Sequence, residues 1–282
     1  MTARVGLGID YTHSYGHKLH DLLQLAPNGI SHLSVVAIPD EDVAHTFRQT
    51  FSQYAMIHHF SGMEPAGIEG LRSGVLKKQN AISEVLQAAW CLEDIGIWNI
   101  GPYNLPYFAA PVLCEPVLTM AIDGVKRIQD VSSIPFSAEI PSFSIAAGDM
   151  PLGEFFHRLV DATGCNVVLD ISHVFSYAIY YDLPPEKVLA TLPCHAVNEI
   201  HIAGGSVHPT HQWRYRDTHS EKIVAEVFPL LERALVDCPN LKAVTYELGV
   251  GITPEVITTD LRNIEESCQR MNFVPSFDQA TR

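Results

Sequence analysis

The feature that most constrains the fold is an alternation of two kinds of segment along the 282 residues. Short apolar runs rich in β-branched residues are separated by longer runs with the three-to-four-residue spacing of amphipathic helices. Eight such α/β units over roughly 250 residues are typical of a TIM-type (β/α)8 barrel with parallel strands. The predicted strands are residues 4–9, 32–36, 55–58, 96–100, 135–139, 166–170, 197–202 and 242–247.

The helical segments complete the prediction of a single barrel domain over residues 1–282. Helix-start signals are Pro near the first turn, in Glu115-Pro116 and Thr253-Pro254, and Asn80 before an apolar-periodic run. An open doubly wound sheet is the main alternative, but no glycine-rich dinucleotide-binding turn follows the first strand. The predicted helices are residues 17–25, 41–53, 79–95, 115–130, 151–163, 184–192, 219–236 and 253–270.

Composition narrows the function classes. The chain has 18 Lys+Arg and 32 Asp+Glu, a formal net charge of −14 with His neutral. This charge disfavours a nucleic-acid binder that neutralises phosphates and a polybasic membrane anchor. Asp10 interrupts the N-terminal apolar run too early for a signal-peptide core, and no stretch approaches the ~18 apolar residues that span a bilayer. The six cysteines form no C-x-x-C pair, so we expect a cytoplasmic protein with reduced thiols.

Histidines and carboxylates fall at the carboxyl ends of the predicted strands, where a barrel of this type has its active site. Glu139, Asp170 and Glu247 would meet around one barrel mouth, and burying three carboxylates together is costly unless they are protonated or neutralised by a cation. No Lys or Arg lies at these strand ends. Mixed imidazole and carboxylate ligands suit iron, manganese or zinc. The candidates exceed what one ion can bind, which indicates two or three ions. They are His58 or His59, Glu139, Asp170, His173, His201, Asp217, His219 and Glu247.

Each of these residues also has a purely structural interpretation. Asp170 would cap the following helix, His58 would be a hydrogen-bonded core histidine, and the polar residues of the 217–219 loop would be a chance grouping. His58 and His59 point to opposite faces, because side chains alternate along a strand. At most one of them therefore enters the site.

Five short motifs follow one another along the second half of the chain. In this order and on this strand spacing they resemble those of the multinuclear non-heme iron-dependent oxidative enzymes, the family of MbnB and TglH. The resemblance runs over nearly the whole chain. It implies a xylose-isomerase-like barrel whose iron ligands would be His58, Glu139, Asp170, His201, Asp217, His219 and Glu247. The motifs are AEIPS from Ala138, GCNVVLDISHVF from Gly164, EIHIAG from Glu199, RDTH from Arg216 and TYE from Thr245.

Two positions depart from the family pattern. His173 stands where the family has Asn, and His is itself a competent metal ligand. The predicted fourth strand leads into WNIGPYN, without the family's strand-end His, and Asn99 is only a weak substitute. The resemblance therefore leaves open both a dinuclear site and a third iron held by His173 or His59.

The resemblance also implies a function. The chain would oxidise cysteine residues of a ribosomally synthesised precursor peptide with iron and O2, in peptide natural-product maturation. Glu139, Asp170 and Asp217 would be its catalytic groups, and a small partner protein would recognise the leader of the precursor. Neither nucleic acid nor a membrane is expected as a partner. Two alternatives stay open: a hydrolytic or isomerising metal-dependent barrel, and a non-catalytic peptide-binding module with a decayed metal site.

Overall fold

The computed structural model describes residues 5–15, 18–26, 28–67, 71, 73–143 and 145–273. Its centre is a closed barrel of eight parallel strands, in which each strand pairs with its neighbours in sequence and the first pairs with the last. The predicted (β/α)8 barrel is thereby confirmed. The strands are β1 (Gly6–Thr12), β2 (His32–Val36), β3 (Ala55–His59), β4 (Cys91–Asp94), β5 (Phe136–Glu139), β6 (Asn166–Asp170), β7 (Val197–Ala203) and β8 (Ala243–Glu247).

Helices cover the outside of the barrel. Three of them begin after a residue whose side chain accepts a hydrogen bond from a first-turn N–H, namely Asp40, Asp170 and Thr253, as N-cap residues do. The helices are α1 (Leu19–Leu23), α2 (Glu41–Thr50), α3 (Ser73–Leu86), α4 (Glu115–Val131), α5 (Leu152–Thr163), α6 (Ile171–Tyr180), α7 (Pro185–Leu189), α8 (Val227–Asp237) and α9 (Pro254–Arg270).

The barrel strands are buried on both faces, which explains their nearly continuous apolar runs. Their outer faces pack against the helices in one large core. Inside the barrel, Gly8 makes room for a polar ring, because a Cβ at this position would lie 2.4 Å from the imidazole of His32. A smaller apolar cluster fills the interior below the strand ends and consists of Ile57, Trp90, Leu92, Val168 and Ala243.

The prediction of the fourth strand at 96–100 is wrong. The barrel strand is Cys91–Asp94, inside the segment predicted as the end of helix 79–95. The helix ends at Leu86, and Gln87 follows with a φ of 54°. Residues 90–95 are all buried, Glu93 and Asp94 included, so this short run shows no period that distinguishes a strand from a buried helix.

Two further helix predictions differ from the structure. Helix α6 follows β6 directly, but none of the predicted helix ranges covers it, since eight of its residues are buried and a helix buried all round shows no amphipathic period. The predicted helix 219–236 begins only at Val227. The residues before it form a long loop after β7.

Two hairpins rise from the carboxyl ends of the strands. The 97–109 hairpin pairs Ile97–Ile100 with Tyr103–Ala109, and the 205–217 hairpin pairs Gly205–Val207 with Tyr215–Asp217. Both follow barrel strands and therefore stand on the face where sites of such barrels lie. Among the described residues, no helix combines the length and the apolarity needed to cross a bilayer.

Candidate metal centre

Ten titratable side chains meet at the carboxyl ends of the barrel strands, and we call them the mouth cluster. Six are carboxylates and four are imidazoles. Their side chains are buried, apart from partial exposure of His59 and His219. Seven barrel strands, the first turn of α6 and the 205–217 hairpin with its following residues supply them. The mouth cluster consists of Asp10, His59, Asp94, Glu139, Asp170, His173, His201, Asp217, His219 and Glu247.

Of the residues in the predicted ligand set, one lies outside the mouth cluster. His58 points outward from β3 towards α3, where its Nδ1 lies 2.7 Å from Oγ of Ser83. Burial lowers the pKa of His58 to about 3, so this ring is neutral at ordinary pH. The choice of His58 over His59 is wrong, because the alternation of side chains along β3 turns His59 inward. The seven other predicted residues come together: Glu139, Asp170, His173, His201, Asp217, His219 and Glu247.

His59 occupies the place that was predicted for His58. Its Nε2 lies 3.5 Å from Oε2 of Glu139 and 3.7 Å from Oδ2 of Asp94. Its Nδ1 lies 3.8 Å from Oε1 of Glu247. Although burial lowers it, the surrounding carboxylates raise the pKa of His59 to about 9. The imidazole therefore sits where a cation is favoured.

Asp10 and Asp94 belong to the mouth cluster but not to the predicted ligand set. Asp10 follows the apolar part of β1, and the strand-end rule that selects Glu139 would have selected it too. Asp94 ends β4 and is hidden by the misplacement of this strand. The end of the fourth strand, where the predicted strand offered only Asn99, thus carries a carboxylate. Asn99, the suggested substitute, instead donates its side-chain amide to Oε2 of Glu64 at 2.8 Å.

One group of ligand atoms converges on His201. Its Nδ1 lies 2.9 Å from Oε1 of Glu139 and 3.0 Å from Oε1 of Glu247. Asp170 completes a group of four whose ligand atoms lie within 4.8 Å of one another. Ligand atoms about 2.1 Å from one ion are separated by roughly 3.0–3.4 Å in octahedral or tetrahedral geometry. The spacing around His201 is close to what one metal ion imposes.

A second group centres on Asp217. Its Oδ2 lies 2.8 Å from Nε2 of His173 and 3.2 Å from Nε2 of His219. The other ring nitrogen of His173, Nδ1, is 2.6 Å from the carbonyl oxygen of Ile140 and donates to it. In the neutral ring, Nε2 of His173 is then left with a lone pair that faces the carboxylate. The same arrangement of ring and acceptor orients histidine ligands in metal sites.

Asp170 caps α6, as one of its sequence-based interpretations expects, and it also lies in the mouth cluster. Its Oδ1 accepts a hydrogen bond from the backbone N–H of His173 at 2.8 Å and so caps α6. Its Oδ2 is buried without a hydrogen-bond partner and lies 3.6 Å from Nε2 of His173. The cap holds the carboxylate in place and leaves one oxygen free for the mouth.

Many ligand atoms of the mouth cluster have no hydrogen-bond partner. Buried polar atoms are rarely left unpaired in folded proteins, since each costs roughly 1–3 kcal/mol. In the described part of the chain, no Lys or Arg forms an ion pair with any of these carboxylates; the ion pairs of Arg side chains lie elsewhere. A mixed nitrogen and oxygen set of this kind fits a transition-metal ion. The unpaired atoms are Asp10 Oδ1, His59 Nδ1, Asp94 Oδ1, Glu139 Oε2, Asp170 Oδ2, His201 Nδ1 and Asp217 Oδ1.

Without a metal, protons would compensate part of this charge. Burial raises the pKa of Asp10 and of Glu139 to about 7, and that of Asp170 to about 6. Despite burial, Asp217 and Glu247 keep a pKa well below the usual range, because the imidazoles of His219 and His201 face them. The metal-free cluster thus retains protons near neutrality, which a bound cation would replace.

Aromatic side chains of the 97–109 hairpin cover one side of the mouth. Trp98, Tyr107 and Phe108 line the cavity above the cluster. The hydroxyl of Tyr107 donates a long hydrogen bond of 3.4 Å to Oδ2 of Asp217, and the rings of Phe108 and His173 make an edge-to-face contact. The mouth therefore has a charged floor and an apolar wall.

Comparison with known proteins gives one family. A family model described as "RiPP precursor modification enzyme MbnB/TglH/ChrH" matches residues 9–265, where RiPP denotes a ribosomally synthesised and post-translationally modified peptide. The chain is 23% identical over 236 residues to a UPF0276 protein of Rhizorhabdus wittichii, covering 82% of each chain. It is 31% identical over 150 residues to a UPF0276 protein of Anaeromyxobacter sp., covering 51% of each.

Solved structures share the fold at low sequence identity. Endonuclease IV from Thermus thermophilus aligns with a TM-score of 0.60 at 16% identity, over 94% of this chain and 99% of that one. A xylose isomerase domain containing protein from Salmonella typhimurium gives 0.63 at 11% identity, over 96% and 99%. The IolI protein, solved with a bound zinc atom, gives 0.58 at 10% identity, over 94% and 97%. These likenesses support the barrel.

Proposed function

The chain belongs to the MbnB/TglH/ChrH family of RiPP precursor modification enzymes, and on this premise we propose that it is a multinuclear non-heme iron oxidase. It would act with O2 on cysteine residues of a ribosomally synthesised precursor peptide. The observation that carries the proposal is the mouth cluster, with its unpaired buried nitrogen and oxygen atoms. Family membership supplies the substrate class, and the mouth cluster supplies the reason to expect metal.

The mouth cluster offers ligands for more than one ion. The first would be held by His201, Glu139, Asp170 and Glu247, and the second by His173, Asp217 and His219. A third group, Asp10 and His59 with Glu247, shares a carboxylate with the first. Iron bound there would supply redox chemistry with O2, which zinc does not offer. Two or three ions therefore fit the donors.

The protein's own part is to position a peptide and to keep the mouth dry. The aromatic wall of Trp98, Tyr107 and Phe108 shields one side of the ligands from water. Further out on the same hairpin, Ile100 and Tyr103 are 56% and 74% exposed. Exposed apolar side chains next to a site mark surfaces that bind other molecules. We propose that the flanks of the modified cysteine bind along this hairpin; a small partner protein that recognises the leader stays a prediction of the family resemblance.

A hydrolytic or isomerising metal-dependent barrel is the second candidate. It is favoured by the fold neighbours, which include an endonuclease, a xylose isomerase domain protein and a zinc-bound protein. Such an enzyme would work with a redox-inert metal and without O2. The third interpretation, a binding module with a decayed metal site, is disfavoured because ten ligand side chains are present.

The test uses iron-loaded protein and the peptide encoded by a short cysteine-containing reading frame, which we expect beside the gene. We expect O2 uptake on addition of the peptide and a change of peptide mass at the cysteine. A peptide with Ser in place of Cys is the matched control and should cause no uptake. Turnover without O2, or equal O2 uptake with both peptides, would contradict the proposed oxidation.

A further inference from the structure

A buried carboxylate outside the mouth cluster contacts one of its histidines from below. Glu199 is fully buried in β7, two residues before His201. Its Oε1 lies 3.0 Å from Nε2 of His201, on the ring edge opposite to the mouth. Among the described residues, the ion pair of Glu199 is with His201 alone. A buried charge with a single ionisable partner calls for an explanation.

The other neighbours of Glu199 donate hydrogen bonds to it. Nε1 of Trp90 donates to Oε2 at 2.6 Å, and an indole N–H is a donor only. The hydroxyl of Thr245 donates to Oε1. Nε2 of His32 lies 2.8 Å from the same hydroxyl oxygen and donates to it, which leaves the hydroxyl proton for Glu199. The His32 ring completes this series of hydrogen bonds, and it fits there because Gly8 has no side chain.

The direction of these bonds determines the state of His201. An ionised carboxylate only accepts hydrogen bonds, so Nε2 of His201 carries a proton and donates it to Glu199. In the neutral ring the lone pair then lies on Nδ1. This atom faces Oε1 of Glu139 at 2.9 Å and Oε1 of Glu247 at 3.0 Å.

We propose that Glu199 is a positioning residue of the metal centre. It holds His201 in the tautomer with the proton on Nε2, and so presents Nδ1 to the ion shared with Glu139 and Glu247. A carboxylate behind a ligating imidazole fixes the orientation of the ring and makes it more basic. The inference rests on the proposed metal centre but not on the metal being iron or on the reaction with O2.

The first test measures the tautomer in protein that keeps Glu199. In protein with ¹⁵N-labelled histidine and bound Zn²⁺, long-range ¹H–¹⁵N correlation spectra distinguish a metal-bound ring nitrogen from a protonated one. We expect His201, assigned by the loss of its signals in His201→Gln, to show zinc on Nδ1 and a proton on Nε2. A proton on Nδ1, or zinc on Nε2, would overturn the proposal.

The second test compares two variants that alter the same carboxylate differently. Glu199→Gln keeps the size of the side chain but offers an NH₂ group to one of the three donors, and we expect a 10- to 100-fold weaker affinity for Zn²⁺ in chelator competition. Trp90→Phe removes one donor and leaves the bond to His201, so the affinity should change by less than about threefold. Equal effects of both variants, or none in Glu199→Gln, would overturn the role of Glu199.

The failure of this inference differs from failure of the proposed function. Wild-type protein that binds zinc tightly but consumes no O2 with iron would contradict the oxidase and leave the role of Glu199 standing. Oxidation of the peptide by a Glu199→Gln protein with unchanged metal affinity would contradict the role of Glu199 and leave the oxidase standing. Should Glu199→Gln fail to fold, the tautomer measured in the wild type decides the matter.

Discussion

Adjacent histidines on β3 have opposite surroundings. His59 faces carboxylates of the mouth cluster, and His58 lies between the barrel and α3 with a hydrogen bond to Ser83. One residue step along a strand turns a side chain to the other face of the sheet. The two histidines therefore provide a matched pair for testing which face of β3 binds metal.

Replacing each histidine separately should give opposite results. We expect His59→Gln to lower the iron or zinc content of the protein and to weaken its metal affinity at least tenfold, because a ligand is lost. His58→Gln should keep the metal and lose about 1–2 kcal/mol of stability through its buried contact with Ser83. Metal analysis and thermal unfolding measure both effects. Full metal content in His59→Gln together with loss in His58→Gln would contradict the assignment.

Protons and metal compete for the same atoms of the mouth cluster. With a pKa of about 9 for His59 and of about 7 for Asp10 and Glu139, these groups bind protons below those values, and a cation must displace them. Metal affinity should therefore rise as the pH is raised from 6 to 9, with release of protons. Titration calorimetry with Zn²⁺ in buffers of different ionisation enthalpy measures this release. An affinity that is independent of pH would show that the cluster holds no such protons.

The sequence identifies residues well where a strand has a clear end. Glu139, Asp170 and Glu247 each end a predicted strand, and the position of strand ends in such a barrel places them together correctly. The position at a strand end does not decide between His58 and His59. Side chains alternate between the two faces of a strand, but two adjacent histidines do not show which of them faces the interior. Glu199 also escapes the sequence, since its importance lies in contacts with distant strands.

At the scale of elements, the 97–109 hairpin is held over the mouth by two buried carboxylates. Glu64 accepts hydrogen bonds from the backbone N–H groups of Trp98 and Asn99 and from the Asn99 side chain. Glu93 accepts one from Nε1 of Trp98 at 3.1 Å, and it also accepts from the backbone N–H of Met63 at 3.2 Å. The hairpin is thereby tied to the loop after β3, and its aromatic side chains are held above the metal ligands.

Removing one of these anchors should loosen the hairpin without disturbing the barrel. In Glu64→Ala, three donors lose their acceptor, and we expect a loss of about 1–3 kcal/mol of stability and faster amide exchange over residues 97–109. Hydrogen exchange with mass spectrometry measures the effect segment by segment. Glu84→Ala, which removes an exposed carboxylate of α3, is the control and should leave exchange in the hairpin unchanged. Slow exchange in Glu64→Ala would mean that the hairpin does not depend on this anchor.

The fourth barrel strand shows where element prediction fails. The segment from Ala88 to Ile95 continues the apolar spacing of α3, and only the turn at Gln87 separates the two elements. Because the sequence does not reveal this turn, the next β-branched run, residues 96–100, is predicted as the barrel strand. The predicted strand end then lies in the hairpin instead of at Asp94. One misplaced boundary thus hides Asp94.

At the scale of the whole molecule, part of the acidic excess lies inside the protein, at the barrel mouth. Six carboxylates lie together at the mouth of a chain with a formal net charge of −14. Their mutual repulsion opposes folding unless protons or metal ions offset it. Metal binding and folding should therefore be coupled, since ligands that bind only the folded state stabilise it.

Metal should raise the unfolding temperature of the wild-type protein. At a free metal concentration of 100 times Kd, one site contributes about 2.7 kcal/mol, which corresponds to roughly 5–10 °C for a chain of this size. Scanning calorimetry of metal-free and Zn²⁺-loaded protein measures the shift, and His59→Gln should show a smaller one. An unfolding temperature that does not change with saturating metal would contradict a buried multinuclear site.

The fold as a whole is predictable from the sequence, because eight repeats of one strand–helix unit admit few topologies. The position of the site follows from the fold. Which side chains share an ion does not follow from the fold. It depends on distances across the mouth, such as those around His201 and Asp217, and these distances cannot be read from spacing along the chain.

The most direct test of the metal centre is iron analysis combined with Mössbauer spectroscopy on protein prepared and loaded anaerobically. The mouth cluster contains one group of possible metal ligands around His201, a second around Asp217 and a third that includes Asp10. We expect two or three iron ions per chain in nitrogen and oxygen coordination. Less than one iron per chain after loading, or protein that retains zinc alone, would contradict it.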